Sequence, residues 1–115
     1  MIRGIHHVAF YRDLLGMPVV RSWGKDAARG IMLDCGGGLL EIFANAPDTP
    51  GEGVLRHIAF ATDDPDGCIA AVCRAGYTVI EEPHDITIPA EVPFPARIAF
   101  CKGPVGEKIE FFCEK

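Results

Sequence analysis

The sequence predicts an α+β domain built from two βαβββ modules, residues 1–50 and 51–115. Three observations carry that prediction. Segments of the first half recur in the same order in the second. The second half holds a full set of helix start and stop signals. Glycine-containing turns fall where each module needs a hairpin before its last strand. The recurring segments are His7-Val8-Ala9-Phe10 with His57-Ile58-Ala59-Phe60, then Leu15-Gly16-Met17-Pro18-Val19-Val20 with Ala75-Gly76-Tyr77-Thr78-Val79-Ile80. Last come Leu39-Leu40-Glu41-Ile42-Phe43 and Lys108-Ile109-Glu110-Phe111-Phe112.

Each half therefore reads as strand, helix, then three strands. In the second half the first strand is expected at about Val54 to Ala61. A helix follows with Asp64 as N-cap and Pro65 at the first helical position, where a missing N–H costs nothing. Ile69, Val72 and Cys73 give it an apolar stripe, and Gly76 ends it. A strand begins near Tyr77, a hairpin spans Lys102 to Gly106, and the last strand runs through Glu110. The first half places its hairpin at Cys35-Gly36-Gly37-Gly38, where glycine is free to take positive φ.

The halves differ at one place. His57 to Gly76 is 19 positions and His7 to Gly16 is 9, so the first half is about ten residues shorter where its loop and early helix belong. Tyr11 to Leu15 leaves little more than one turn, and such a helix is marginal alone. Val8 and Phe10, on the helix side of the expected strand, are then left poorly covered. Either a partner subunit covers them, or the module calls for residues that the sequence omits here.

Bulk composition narrows the function. The 115 residues suffice for one domain, and 49% hydrophobic with 23% charged residues is ordinary for a soluble chain. A net charge of −5 without basic clustering argues against nucleic acid and anionic membrane as partners. MIRGIHHVAF lacks a signal-peptide core, and no run approaches membrane-spanning length. Five cysteines (Cys35, Cys68, Cys73, Cys101 and Cys113) without a C-x-x-C pair do not suggest a disulfide framework or zinc site. They read as small buried or half-buried thiols of a cytoplasmic protein.

Strand alternation sends His57 and Ala59 to one face and Ile58 and Phe60 to the other. The same parity makes His7, not His6, the counterpart of His57. Glu41 and Glu110 sit mid-strand among apolar neighbours, where a carboxylate is costly unless compensated. Each residue alone would read as an ordinary strand residue. Two His and two Glu at repeat-matched positions do not, because modules related by a pseudo-twofold axis would bring all four together. Such a mixed N/O set suits Ni, Co, Zn, Fe or Mn.

The HVAF and HIAF strands, YRDLLGM, LLEIF and GPVGEKIEFF resemble, in order, the recurring segments of the glyoxalase / bleomycin resistance / extradiol dioxygenase (vicinal oxygen chelate) superfamily. The likeness is closest to glyoxalase I-like members and covers essentially the whole chain. It implies a cupped, eight-stranded mixed sheet around one divalent metal ion held by His7, Glu41, His57 and Glu110. The site lies within one chain or across a homodimer. The resemblance further implies a lyase or isomerase in which the metal acts as Lewis acid for an enediolate, with Glu110, or Glu41 across the axis, as general base. The implied substrate is a small carbonyl compound, thiohemiacetal or thioester, and glutathione or another thiol is a possible co-substrate. The stretch missing after Phe10 is, however, where glyoxalase I members commonly hold an arginine for it. Arg21, Arg74 and Arg97 are the arginines left to replace it.

Two alternatives stand beside this reading: a metal-free, bleomycin-type antibiotic-binding protein, and an extradiol dioxygenase. Candidate substrate-binding residues are Trp23, His84, Phe94 and Arg97, with Tyr11 as a further lining candidate. His84 and Phe94 lie in Pro83 to Pro95, where four prolines in thirteen residues argue against a helix and most ladder pairing. That segment reads as a stiff connector or as a rim over the site.

Overall fold

Five residues between Phe10 and Gly16 cannot supply both a loop and a stable helix. The chain resolves this by drawing its own preceding segment into the helix. The computed structural model describes residues 8–45, 51 and 53–115, and the chain divides into two units, Met1–Pro50 and Gly51–Lys115. His7, expected to be a metal ligand, lies outside the described residues.

In the first unit Val8 already has helical dihedrals, and a π-helix spans Ala9–Leu14. The Leu15 N–H donates to the Phe10 carbonyl at 3.0 Å. The expected strand over Val8 to Phe10 is thus not formed. Winding these residues up buries what a strand would have left open: Val8 is 3%, Phe10 0% and Tyr11 4% exposed. Phe10 and Tyr11 meet edge to face at 4.9 Å. The poorly covered apolar face expected here is covered within the chain. Gly16 (φ 76°) and Gly76 (φ 89°), matched in the repeat, both take the left-handed conformation that ends a helix.

Three antiparallel strands follow in the order β1-β2-β3: β1 (Val19–Trp23), β2 (Gly30–Asp34) and β3 (Leu39–Phe43). The β2–β3 hairpin closes at the expected glycines, with the Cys35 N–H donating to the Gly38 carbonyl. Ile31, Leu33 and Ile42 face the core. Met32, Glu41 and Phe43 take the opposite parity.

The second unit has the full βαβββ order. β4 (Ile58–Ala61) precedes α1 (Pro65–Arg74), followed by β5 (Val79–Ile88), β6 (Phe94–Lys102) and β7 (Lys108–Glu114). The sheet order is β4-β7-β6-β5, with β4 parallel to β7 and the other pairs antiparallel. The Gly67 N–H donates to Asp64 Oδ1 at 2.9 Å, the N-cap read from the sequence. Such a cap contributes about 1 kcal/mol. Ile69 and Val72 of α1 are buried, as are Ala99, Cys101, Ile109 and Phe111 on the sheet face it covers.

Two expectations for this unit are corrected. β4 begins at Ile58 rather than Val54, because its ladder partner β7 begins at Lys108; Val54 and Leu55 are 99% and 93% exposed. The proline-rich segment is largely strand, not a connector. Thr87 pairs with Pro95 and His84 with Ile98. Pro83 is tolerated because β5 is an edge strand with a register shift between Glu81 and His84. Pro95 is tolerated as the second residue of β6. Across both units the described residues form seven strands, and no helix among them is long and apolar enough to cross a membrane.

Candidate functional site

Alternation along β7 buries Ile109 and Phe111 under α1 and turns Lys108, Glu110 and Phe112 to the other face. Ladder register then sets the neighbours of Glu110: Ala59 on β4 and Phe100 on β6, with Glu81 beyond on β5. His57 immediately precedes β4 and shares the parity of Ala59. Its Nε2 lies 3.1 Å from Glu110 Oε1. The glutamate side chain is only 12% exposed and the imidazole 40%. Phe100 meets the His57 ring edge-on at 5.6 Å, and Lys108 Nζ stands over the Phe100 ring at 4.5 Å. Neither Phe100 nor Lys108 stood out in the sequence. Both become visible only once β6 and β7 are in register.

Further across the sheet, His84 Nε2 is 3.9 Å from Glu81 Oε2, and its Nδ1 lies 2.9 Å from the Glu82 carbonyl. Phe94 opens β6, paired with Ile88, six residues from Phe100. Arg97 has the parity of the helix-bearing face. It forks onto Asp66 at 2.6 and 2.8 Å and reaches Asp85 at 3.1 Å. These bonds, Asp66 first, raise the Arg97 pKa above its already high ordinary value. Asp66 is held below the usual carboxylate range by Arg97, and Asp85 by Lys115 and then Arg97. The guanidinium thus ties the start of α1 to β5 and does not share the face of Glu110.

In the first unit, Glu41 is exposed on β3, opposite Met32. Trp23, on the next cross-strand row, lies over Gly30 and meets Phe43 edge-on at 6.1 Å. Trp23 is 39% and Phe43 49% exposed. Tyr11 is buried in the core and lines no open surface. The structure therefore groups Trp23 with the face of Glu41, and His57 with Glu110.

All five cysteines are free thiols. Cys101 lies under α1, and burial pushes its thiol up to about 12.

The strand–helix–three-strand order is the one expected of each module, and His57 and Glu110 lie together on the sheet face opposite α1. A family model agrees: residues 7–111 match the Glyoxalase/Bleomycin resistance protein/Dioxygenase superfamily. The chain belongs to that superfamily.

Solved structures similar to the chain include the following three. A glyoxalase family protein from Enterococcus faecalis is 25% identical, with a TM-score of 0.69 over 94% of this chain and 86% of that one. An antibiotic-binding protein from a Streptomyces species is 22% identical, with a TM-score of 0.70 over 96% and 86%. The trypanothione-dependent glyoxalase I of Leishmania major is 22% identical, with a TM-score of 0.68 over 95% and 77%. The last two show a shared fold. Among curated proteins none matches the chain.

Superfamily members commonly use a divalent metal. Among the described residues no three His, Cys, Asp or Glu side chains converge as a metal cluster. The His57–Glu110 pair nevertheless fits half of such a site. Two cis donors at about 2.1 Å from one octahedral ion are about 3.0 Å apart, and this pair is 3.1 Å apart.

Proposed function

We propose that the protein is a metal-dependent lyase or isomerase of the glyoxalase I type, moving a proton next to the carbonyl of a small substrate. His57 and Glu110 would form one half of the metal site, and their repeat counterparts His7 and Glu41 the other. The observation that carries this reading is the His57 Nε2–Glu110 Oε1 approach of 3.1 Å on a sheet face where the carboxylate is only 12% exposed. An imidazole nitrogen and a carboxylate suit a divalent ion of the Ni, Co, Zn, Fe or Mn kind. When bound, that ion would supply Lewis-acid polarisation of the substrate oxygens.

The proton steps belong to the chain. Glu110 has two carboxylate oxygens, so one can remain engaged while the other accepts the proton from the carbon beside the carbonyl. Returning that proton to the neighbouring carbon, while the hydroxyl proton of the first carbon passes to the former carbonyl oxygen, completes an isomerisation with no net change in protons. Phe100 occupies the adjacent ladder position and would limit the approach of water on that side of the carboxylate. A single carboxylate serving as base and then as acid needs no second titrating group.

The test joins metal content with chemistry. Native mass spectrometry of protein purified without added metal, then titrated with Ni²⁺ or Mn²⁺, is expected to show about one ion per chain. His57→Ala or Glu110→Gln should weaken that binding at least about tenfold. The loaded protein should exchange a proton α to a carbonyl into deuterated water, or isomerise a thiohemiacetal. Metal binding unchanged by both substitutions, or no exchange by loaded protein, refutes the reading.

One observation favours a second reading, small-molecule sequestration. Trp23 and Phe43 present exposed aromatic surface beside Glu41, and rings of this kind stack on planar ligands. Saturable quenching of Trp23 fluorescence by bleomycin, in metal-free protein that stays empty when metal is supplied, would select it.

A further inference from the structure

The two glutamates of the repeat sit in different electrostatic settings. Leu39 precedes Glu41 by two residues, where Lys108 precedes Glu110. Across the ladder, Asp34 pairs with Leu39, whereas Lys102 pairs with Lys108. Where the first unit holds an acid and an apolar side chain, the second holds two cations side by side.

Like charges directly opposite on a ladder are destabilising. Both lysines are exposed, and among the described residues neither is ion-paired. Lys108 does have one contact: its ammonium stands over Phe100 at 4.5 Å, the ring that also meets His57, an interaction worth about 0.5–1 kcal/mol at an exposed site. Holding a lysine there forfeits side-chain entropy and places its charge beside the row of Glu110. Among the described residues, the nearby acids have other partners. Glu110 is engaged by His57, Glu81 lies near His84, and Glu107 accepts from the Val105 N–H in the hairpin turn. Among the described residues, two cations are thus assembled at the end of the β6–β7 hairpin with no ion-pair partner.

We propose that Lys108, with Lys102 opposite it, selects a ligand carrying a carboxylate or phosphate group at the Glu110 site. This rests on the reading of that site as a small-molecule centre and deepens it: the ligand is anionic at one end. Lys108 meets the anionic group and Lys102 adds to the local field. The corresponding position in the first unit, Leu39, cannot do the same.

The experiment compares pyruvate with its neutral isostere pyruvamide by ligand-observed NMR titration, with inorganic phosphate as a third probe. Wild-type protein is expected to bind pyruvate about tenfold more tightly than pyruvamide, the worth of one charge-assisted contact. The preference should weaken with added salt. Lys108→Met, which keeps an apolar stem over Phe100, should abolish it, and Lys108→Arg should retain it. Inorganic phosphate bound with the same lysine dependence, in place of pyruvate, identifies the group as phosphate and sustains the inference.

Equal affinity for pyruvate and pyruvamide, with no lysine-dependent phosphate binding, overturns it. So does a preference that survives in the Lys102→Met/Lys108→Met double variant. Metal titration of the same variants separates the two readings. Intact Ni²⁺ binding without an anion preference removes this inference alone. A lysine-dependent preference in protein that never binds metal removes the metal-dependent enzyme and leaves the anion site standing.

Discussion

Gly30→Ala tests whether Trp23 is seated as described. A Cβ on residue 30 would stand 2.4 Å from Cζ2, 2.5 Å from Cε2 and 2.9 Å from Nε1 of the indole. Ordinary carbon contacts lie at about 3.5–4.0 Å, so the ring must retreat by about 1 Å or more. The obstacle is a half-exposed side chain rather than backbone, so the strand survives and the indole lifts. Losing the edge-on contact with Phe43 costs about 0.5–1.5 kcal/mol, and exposing a further ~50 Å² of ring adds about 1 kcal/mol. Replacing glycine by alanine in a strand returns about 0.5–1 kcal/mol. The net destabilisation is about 1 kcal/mol, a fall in Tm of about 4 °C for a domain of this size. Trp23 is the sole tryptophan, so a red shift of its emission reports the displacement directly. In a Phe43→Leu background the same substitution should cost less, by about the aromatic-pair energy. Unchanged emission together with a raised Tm would refute the seating of Trp23 over Gly30.

Three further outcomes follow from the charges and thiols. Cys101 should resist iodoacetamide in the folded protein while exposed Cys73 reacts first, as followed by mass spectrometry. The Cys101 thiol rises from its ordinary 9.0 to about 12 in the fold, so the unfolded chain gives up this proton first. Stability should therefore be full below about pH 9 and fall through pH 12, by about 1 kcal/mol at pH 10, a limb that Cys101→Ala should flatten in urea titrations. Arg97→Met is expected to leave metal and ligand affinity unchanged while altering the acid limb. Asp66 and Asp85 are depressed in the fold, so their contribution is present above the ordinary value of 3.8 and lost as pH falls below it. The variant should lose most of the Asp66 part of that dependence.

The second module was legible almost element by element because its signals are local. Asp64 caps, Pro65 starts and Gly76 stops α1 by their own chemistry, whatever surrounds them. The first module was not. Val8-Ala9-Phe10 and Ile58-Ala59-Phe60 are close in sequence, yet the first is helical and the second a strand. The difference lies in the residues that follow. With a full loop and helix after it, the Phe60 segment can remain extended beside β7. With only five residues before Gly16, the Phe10 segment must furnish the helix itself. Propensity yields to such demands because tertiary burial outweighs it. The prolines misled in the same way: Pro83 argues against a strand, but sheet order places β5 at an edge, and order cannot be read from a single segment.

At the site, parity was readable and register was not. Alternation alone put Glu41 and Glu110 opposite the apolar residues that flank them, since a period of two survives any choice of partner strand. It could not tell that β4 would pair with β7 so that Ala59 meets Glu110, which is what sets His57 at 3.1 Å. Nor could it place Phe100 and Lys108 beside that pair, or turn Arg97 toward Asp66. This division has a chemical counterpart in the repeat. The glutamates are matched between modules, whereas their neighbours are not: Met32, Leu39 and Asp34 stand where Phe100, Lys108 and Lys102 stand in the second unit. On the proposed reading, proton transfer would use the matched Glu110, whereas discrimination among ligands would fall to the unmatched Lys108 and Lys102, because residues that differ between the modules are the ones able to favour one end of a substrate over the other.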